Sequence, residues 1–301
     1  MSSNVCASAV LGVCLMAAGA SAAAREATAP PQPPASSPPS AAALPDARTA
    51  STRAIATALL DDSVSQQERQ RLATEAAPRA AEVVLALADG LPPDDEAEEY
   101  RRIPWIWRVA VAAGRANDHA ALVPLLDASM PRRDEPLRDW QAVVLGGGIV
   151  MGLSQAGEWP RDVMAPWLAA DAARAARWER SLDLAIRMAD DDSVRNGTRY
   201  DALRMLAVLP WDRVGAQLVR YLSADVDAEL QMGAIGGLAD LQDPRAGKAL
   251  VGHASQYAEA NRRHAINALL RTDERKALLR AALRTGAIPE AWLSAEQRER
   301  L

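Results

Sequence analysis

YDALRMLAVLPWDRVGAQLVRYL (Tyr200–Leu222), QMGAIGGLADLQDPRAGKALVGHA (Gln231–Ala254) and RRHAINALLRTDERKALLRAAL (Arg262–Leu283) are three versions of one unit. Ala202, Ala234 and Ala265 recur at intervals of 32 and 31, and Leu206, Leu238 and Leu269 keep the same intervals. The acids Asp212, Asp243 and Asp273 follow at 31 and 30, which predicts a tight turn between two helices in each unit. A small Ala lets helices approach closely, and Leu fills the space between neighbours. No such unit buries its apolar face alone, so stacking of successive units is required.

Outward from these units, the pattern is helical as far back as Ser51. Apolar residues recur with a period near 3.6 at Ala54-Ile55-Ala58-Leu59, Ala80-Val83-Val84-Leu87, Val109-Ala112, Leu122-Leu125-Leu126, Leu182-Ala185-Ile186 and Leu203-Leu206-Ala207. Breaks are expected at Gly90 to Pro93, Pro131, Trp159-Pro160, Asp190 to Asp192, Pro210, Asp243-Pro244 and Pro289. At Asp243-Pro244 the residues fit an Asp N-cap followed by Pro in the first helical position. The expected fold class is all-α: a right-handed α-solenoid of stacked antiparallel helix pairs over 51–301, with its clearest repeats at 199–286.

Upstream lie two segments of other kinds. Val5 to Ala20 is apolar, uncharged and short for a bilayer span, and Ala20-Ser21-Ala22 is a small-x-small cleavage pattern. Residues 1–24 are therefore read as a secretory signal peptide cut near Ala22 to Ala24, which places the protein in the periplasm or outside the cell. No Lys or Arg precedes the apolar run, and a disordered start is the competing reading. Residues 25–50 are rich in Pro, Ala and Ser without apolar periodicity, as expected of a disordered spacer.

Composition narrows the function classes. Both cysteines, Cys6 and Cys14, fall within the signal region, so cleavage leaves a thiol-free protein without a zinc ribbon, thiol nucleophile or Cys-attached haem. The net charge of -5 argues against a nucleic-acid partner. Lys248 and Lys276 are the only lysines among 34 basic residues, Phe is absent, and Trp occurs 8 times. That bias resembles a GC-rich bacterial coding sequence.

The repeats resemble HEAT repeats, in particular the short phycobilisome-lyase-type units with a D-x-R or D-P-R turn. Asp212-Arg213-Val214 and Asp243-Pro244-Arg245 carry the resemblance. Thr285 to Pro289 and Trp292 to Gln297 are similar to the end of the HEAT region in large secreted bacterial proteins, where it joins a β-propeller dehydrogenase-like domain to a c-type cytochrome domain. Trp105-Ile106-Trp107-Arg108 and Leu145 to Ile149 resemble the same region, so the likeness runs from about Glu98 to Leu301. It implies an ARM-type superhelix whose second helices line the concave face. This chain has no strand arrays and no C-x-x-C-H, so the resemblance implies no electron transfer.

Candidate chemistry is sparse. Gly146-Gly147-Gly148 with Gly152 suggests a phosphate loop, but position 151 is Met where a dinucleotide fingerprint needs Gly, and close helix packing explains the glycines better. Gly152-Leu153-Ser154-Gln155-Ala156-Gly157 has the wrong spacing for a nucleophile elbow. His119, His253 and His264 are isolated, so no metal site is expected. The acidic run Asp94 to Glu99 suits a helix start better than a glycosidase pair. Trp105 and Trp107, within a group that includes Trp140, Trp159 and Trp167, are candidates for an aromatic binding surface, with core packing as the alternative. The remaining candidate is a basic ladder on the second helices, Arg213, Arg220, Arg245, Lys248, Lys276, Arg280 and Arg284, which would bind an acidic partner or merely be a solvated face.

These readings converge on an exported, non-enzymatic scaffold. It has no catalytic residues, cofactor, metal or integral membrane segment after cleavage, and its protein partner is unidentified. Two alternatives stay open: an accessory subunit of a separately encoded periplasmic dehydrogenase, and an (α/α)-toroid acting on polysaccharide. A toroid would bring acids and Trp together in a central cleft.

Overall fold

Ser65 and Glu68 form a reciprocal capping box, and Asp118, Asp171, Asp227 and Asp243 each accept a backbone N–H at a helix start. Local side chains thus satisfy donors that a helix N-terminus leaves free. The computed structural model describes residues 44–91, 95–130 and 139–301. The signal-peptide reading, Cys6 and Cys14, most of the linker, Pro92 to Asp94, Pro131 and the side chain of Trp140 lie outside the described residues.

The described residues are all-helical, with no strand. The helices are α1 (Thr52–Leu59), α2 (Gln66–Glu75), α3 (Ala80–Ala88), α4 (Glu96–Ala116), α5 (His119–Ala128), α6 (Asp139–Gln155), α7 (Pro160–Ala169) and α8 (Ala172–Asp190). They continue with α9 (Asn196–Met205), α10 (Trp211–Arg220), α11 (Ala228–Asp240), α12 (Pro244–Gly252), α13 (Glu259–Leu269), α14 (Asp273–Thr285) and α15 (Ala295–Arg300). Each apolar stripe quoted above falls on a helix. The packed part extends upstream of Ser51: Ala47 is buried, and Arg79 holds the Ala47 and Ala50 carbonyls.

Two series of helices pack side by side. The first helices follow one another as α2, α4, α6, α9, α11 and α13, while among the second helices α1, α3 and α5 pack in order, as do α10, α12 and α14. Ala202, Ala234 and Ala265, with Leu206, Leu238 and Leu269, are all buried. The turn acids are not equivalent, which corrects the sequence alignment. Asp243 is the N-cap of α12, Asp273 is the first residue of α14, and Asp212 is the second residue of α10. Burial aligns Val214 and Leu218 with Ala246 and Leu250 at the interval of 32 that also separates Ala202 from Ala234, so the helices stay in register and the acid alone is displaced by one residue.

Helix α6 explains the triple glycine. From Gln141 to Val150 every residue is buried, because α4 and α9 close on it from two sides. A Cβ on Gly147 would lie 2.8 Å from Asp201 Cα of α9, and one on Gly152 would lie 2.7 Å from Gly114 Cα of α4. Backbone therefore meets backbone on both flanks. Helix α4 also runs unbroken through Pro104, where an interior proline costs about 3 kcal/mol; its packing on α3 and α6 offsets that.

Contacts that skip a neighbour occur on the first-helix side. Trp107 of α4 donates to Asp201 of α9 at 3.0 Å, and Arg195, before α9, stacks on Tyr100 of α4 at 3.8 Å. Ser154 of α6 donates to Asp240 of α11 at 2.7 Å. We call the side of the row that carries these contacts the inner side, and the side that carries the second helices the outer side. The polar helices α2 and α15 stand at the two ends, and the α15 capping residue Gln297 is buried against Asn267 and the Arg263 carbonyl.

Candidate functional site

The basic ladder lies on the outer side, and most of it is already paired. Arg213 bonds Glu179 and Asp183, the latter at 2.9 Å, and Arg220 bonds Asp190 at 2.7 Å. Arg245 reaches Asp243 and the preceding unit's Asp212, both at 2.8 Å, while lying 5.2 Å over the Trp211 ring. Its own hydrogen bond holds Asp243 below the usual carboxylate range. Lys276 sits 3.8 Å from Asp273, and Arg280 donates to the Leu301 carbonyl. Lys248 and Arg284 are exposed and make no ion pair among the described residues. The ladder is thus a set of inter-unit ties that runs out of acids toward α12 and α14.

The inner side holds charges that the sequence reading passed over. Asp240, at the end of α11, has a fully buried side chain bonded to Arg204 of α9 at 2.6 Å, to Arg271 after α13, and to the Ser154 hydroxyl. Arg271 also donates to the Glu158 carbonyl and lies 4.0 Å over the Trp159 ring. Beside it, Arg275 donates to the carbonyls of Leu238, Ala239, Leu241 and Ala268, and burial draws its guanidinium down to about 10. These groups answer one another. A buried charge needs that, since removing one partner leaves the other uncompensated.

A sequence signal for them exists. Asp240 and Arg271 each follow an equivalent Leu, Leu238 and Leu269, by two residues and are 31 apart. Arg213–Asp183 and Arg220–Asp190 are 30 apart, and Arg245–Asp212 are 33 apart. Opposite charges one repeat apart face each other in a stack.

The other candidates resolve as follows. Trp105 is buried, with Arg69 and Arg108 over its ring at 4.9 and 5.1 Å. Trp107 is half-buried and donates to Asp201. Trp159, Trp211 and Trp292 also carry a stacked arginine, while Trp167 is buried with His119 edge-on at 5.2 Å. The two aromatic candidates thus contribute to the fold: one is a core platform for arginine, and the other is a donor to a buried acid.

Carboxylates do not assemble into an accessible acid–base pair among the described residues. The bonds from Arg101 and Arg102 hold Glu98 down to about 2, the opposite of what a general acid requires. Burial pushes Asp201 well above its ordinary 3.8 against the pull of the Trp107 N–H, but the residue is closed off under Trp107 and against α6. Burial likewise pushes its neighbour Tyr200 up to about 12, and raises Glu229. No group of His, Cys, Asp and Glu among the described residues has the arrangement to hold a metal ion. None of the described helices is long and apolar enough to cross a membrane.

One shallow groove of about 880 Å³ opens on the outer side across α1, α3 and α5. Its floor includes Ala81, Ala86, Val123 and Pro124, with the partly exposed Leu85 on α3 and Asp127 on α5. Asp127 is held from beneath by Arg174 and Arg177 at 2.9 and 2.8 Å. No protein-family model, curated protein or solved structure matches the chain.

Proposed function

We propose that the chain is an exported HEAT-like α-solenoid that holds a protein partner and turns over no substrate. The observation that carries this reading is the inner side of the row. The polar side chains there bond to one another (Trp107 to Asp201, Arg204 and Arg271 to Asp240), so neither of these acids stands free in an open cleft. A toroidal glycan enzyme needs such a cleft, with one acid raised and both reachable by a sugar. The recurring buried Ala and Leu positions support stacking of equivalent helix pairs, and the polar helices α2 and α15 suit the ends of a finite row.

The docking surface in this proposal is the C-terminal stretch of the outer side. Lys248 and Arg284, exposed and unpaired, supply positive charge there, with Lys276 and Arg280 nearby in the chain. An acidic protein surface is the complementary partner. The test is a photo-crosslinking residue placed in cells at Ala277, exposed on α14, with and without the charge reversal Lys248→Glu/Arg284→Glu. A discrete crosslinked species that the reversal abolishes is the expected result. Hydrolysis of a glycan panel by the purified chain, lost in Asp201→Asn, would overturn the proposal.

A further inference from the structure

The turn between α6 and α7 is reached from several first helices. Gly157 turns the chain there with φ +87°, and Glu158 and Trp159 follow. From the end of α4, Asn117 donates to the Glu158 carboxylate at 3.2 Å. From the turn after α11, Gln242 donates to Asp162 at the start of α7 at 2.9 Å. From the end of α13, Arg271 reaches Asp240, the Ser154 hydroxyl at 3.2 Å and the Glu158 carbonyl, with its guanidinium on Trp159. Arg271 is 117 residues from Ser154 in the chain, and α9 and α11 lie between their helices in the row.

In a stack held only by neighbours, curvature is the sum of small rotations between successive pairs, and each rotation varies independently. A tie that skips two helices removes that freedom, because it sets the sum directly. We infer that the α6–α7 turn and the α13–α14 turn form a clasp, closed by Arg271 on Asp240, Glu158 and Trp159, that sets the curvature of the first-helix row. The glycines of α6 permit close approach of its immediate neighbours α4 and α9, whereas the clasp fixes where α13 lies relative to α6. This inference is independent of which partner, if any, the outer side binds.

The test measures the distance across the clasp in the full chain. Spin labels at Arg115→Cys on α4 and Arg263→Cys on α13, both exposed positions, are read in a Cys6→Ser/Cys14→Ser background. The intact clasp gives one narrow distance distribution. Arg271→Met shifts the mean to longer distance by more than the original width, with helicity retained, and Trp159→Leu gives a smaller shift. Trp159→Leu leaves every charge of the cluster in place, so it covers the case in which Arg271→Met fails to fold. An unchanged distribution in the folded variants overturns the inference, since packing alone would then set the curvature. Hydrogen exchange on the unaltered chain is a second readout. The two turns are expected to open together with one protection free energy, and independent opening overturns the clasp.

Discussion

The two sides of the row use the same residues, arginine and aspartate, to opposite effect. On the outer side Arg213 and Arg220 pair with acids across solvent, with side chains about one-third and two-thirds exposed. On the inner side Arg204 and Asp240 are 5% and 0% exposed. Water screens the outer pairs and offers their partners an alternative, so each contributes little. The inner groups have lost that alternative, so their bonds are obligatory. Identical chemistry is a surface tie in one place and a structural necessity in the other. The lesson is that burial, more than pairing, decides what a charge does here.

That contrast is broken most directly at Asp240. Replacing it with Ala leaves Arg204 and Arg271 without their shared carboxylate and is expected to destabilise the fold by about 3–5 kcal/mol in denaturant titration. A loss within the range of an exposed pair would mean that water reaches the cluster and the two sides are not distinct. Gly152→Ala comes next: its methyl would press on the α4 backbone at Gly114, and about 1–3 kcal/mol is expected from the same titration.

Asp201 sharpens the comparison through pH. Its folded carboxyl keeps a proton that the unfolded chain releases above the ordinary value of 3.8. The native state then binds more protons than the unfolded state, so this group makes stability fall as pH rises from about 4 toward the raised folded value. Asp201→Asn removes that dependence and still accepts the Trp107 N–H. Its melting temperature should gain on the parent protein as pH rises above about 4 and stop gaining once the raised folded value is passed, and a difference that never changes with pH would refute burial as the cause. The smallest effect belongs to the outer side. Arg213→Ala should cost less than about 1 kcal/mol, and added salt should shrink the difference further.

Much of the fold was legible beforehand because helix periodicity and repeat spacing are local or nearly local signals. The Ala and Leu positions of the three units were read with the right spacing, and each is buried. The Asp-Pro pair at 243 and 244 caps and starts α12 as its chemistry dictates. Legibility failed where one residue of slip mattered: Asp212, Asp243 and Asp273 look equivalent along the chain but occupy different positions at their helix starts. It failed again for Asp240 and Arg271. Read singly, each is an ordinary polar residue near a helix end, and its meaning appears only when charges one repeat apart are compared. For Trp105 and Trp107 the sequence leaves core and surface open, because two of their partners, Arg69 and Asp201, sit on other helices.

The sequence alone determined that the body of the chain is helical and that its C-terminal units repeat, because 3.6-residue periodicity and near-31-residue spacing leave little choice. It also favoured packing over phosphate binding for the glycines of α6, since Met151 breaks the dinucleotide spacing. Tertiary structure decided which helices meet across the row, which charges water can reach, and that α4 continues through Pro104. Those outcomes depend on contacts between residues up to 117 positions apart. Local pattern carries no information about the dielectric or the neighbours that such residues will meet once the helices have packed.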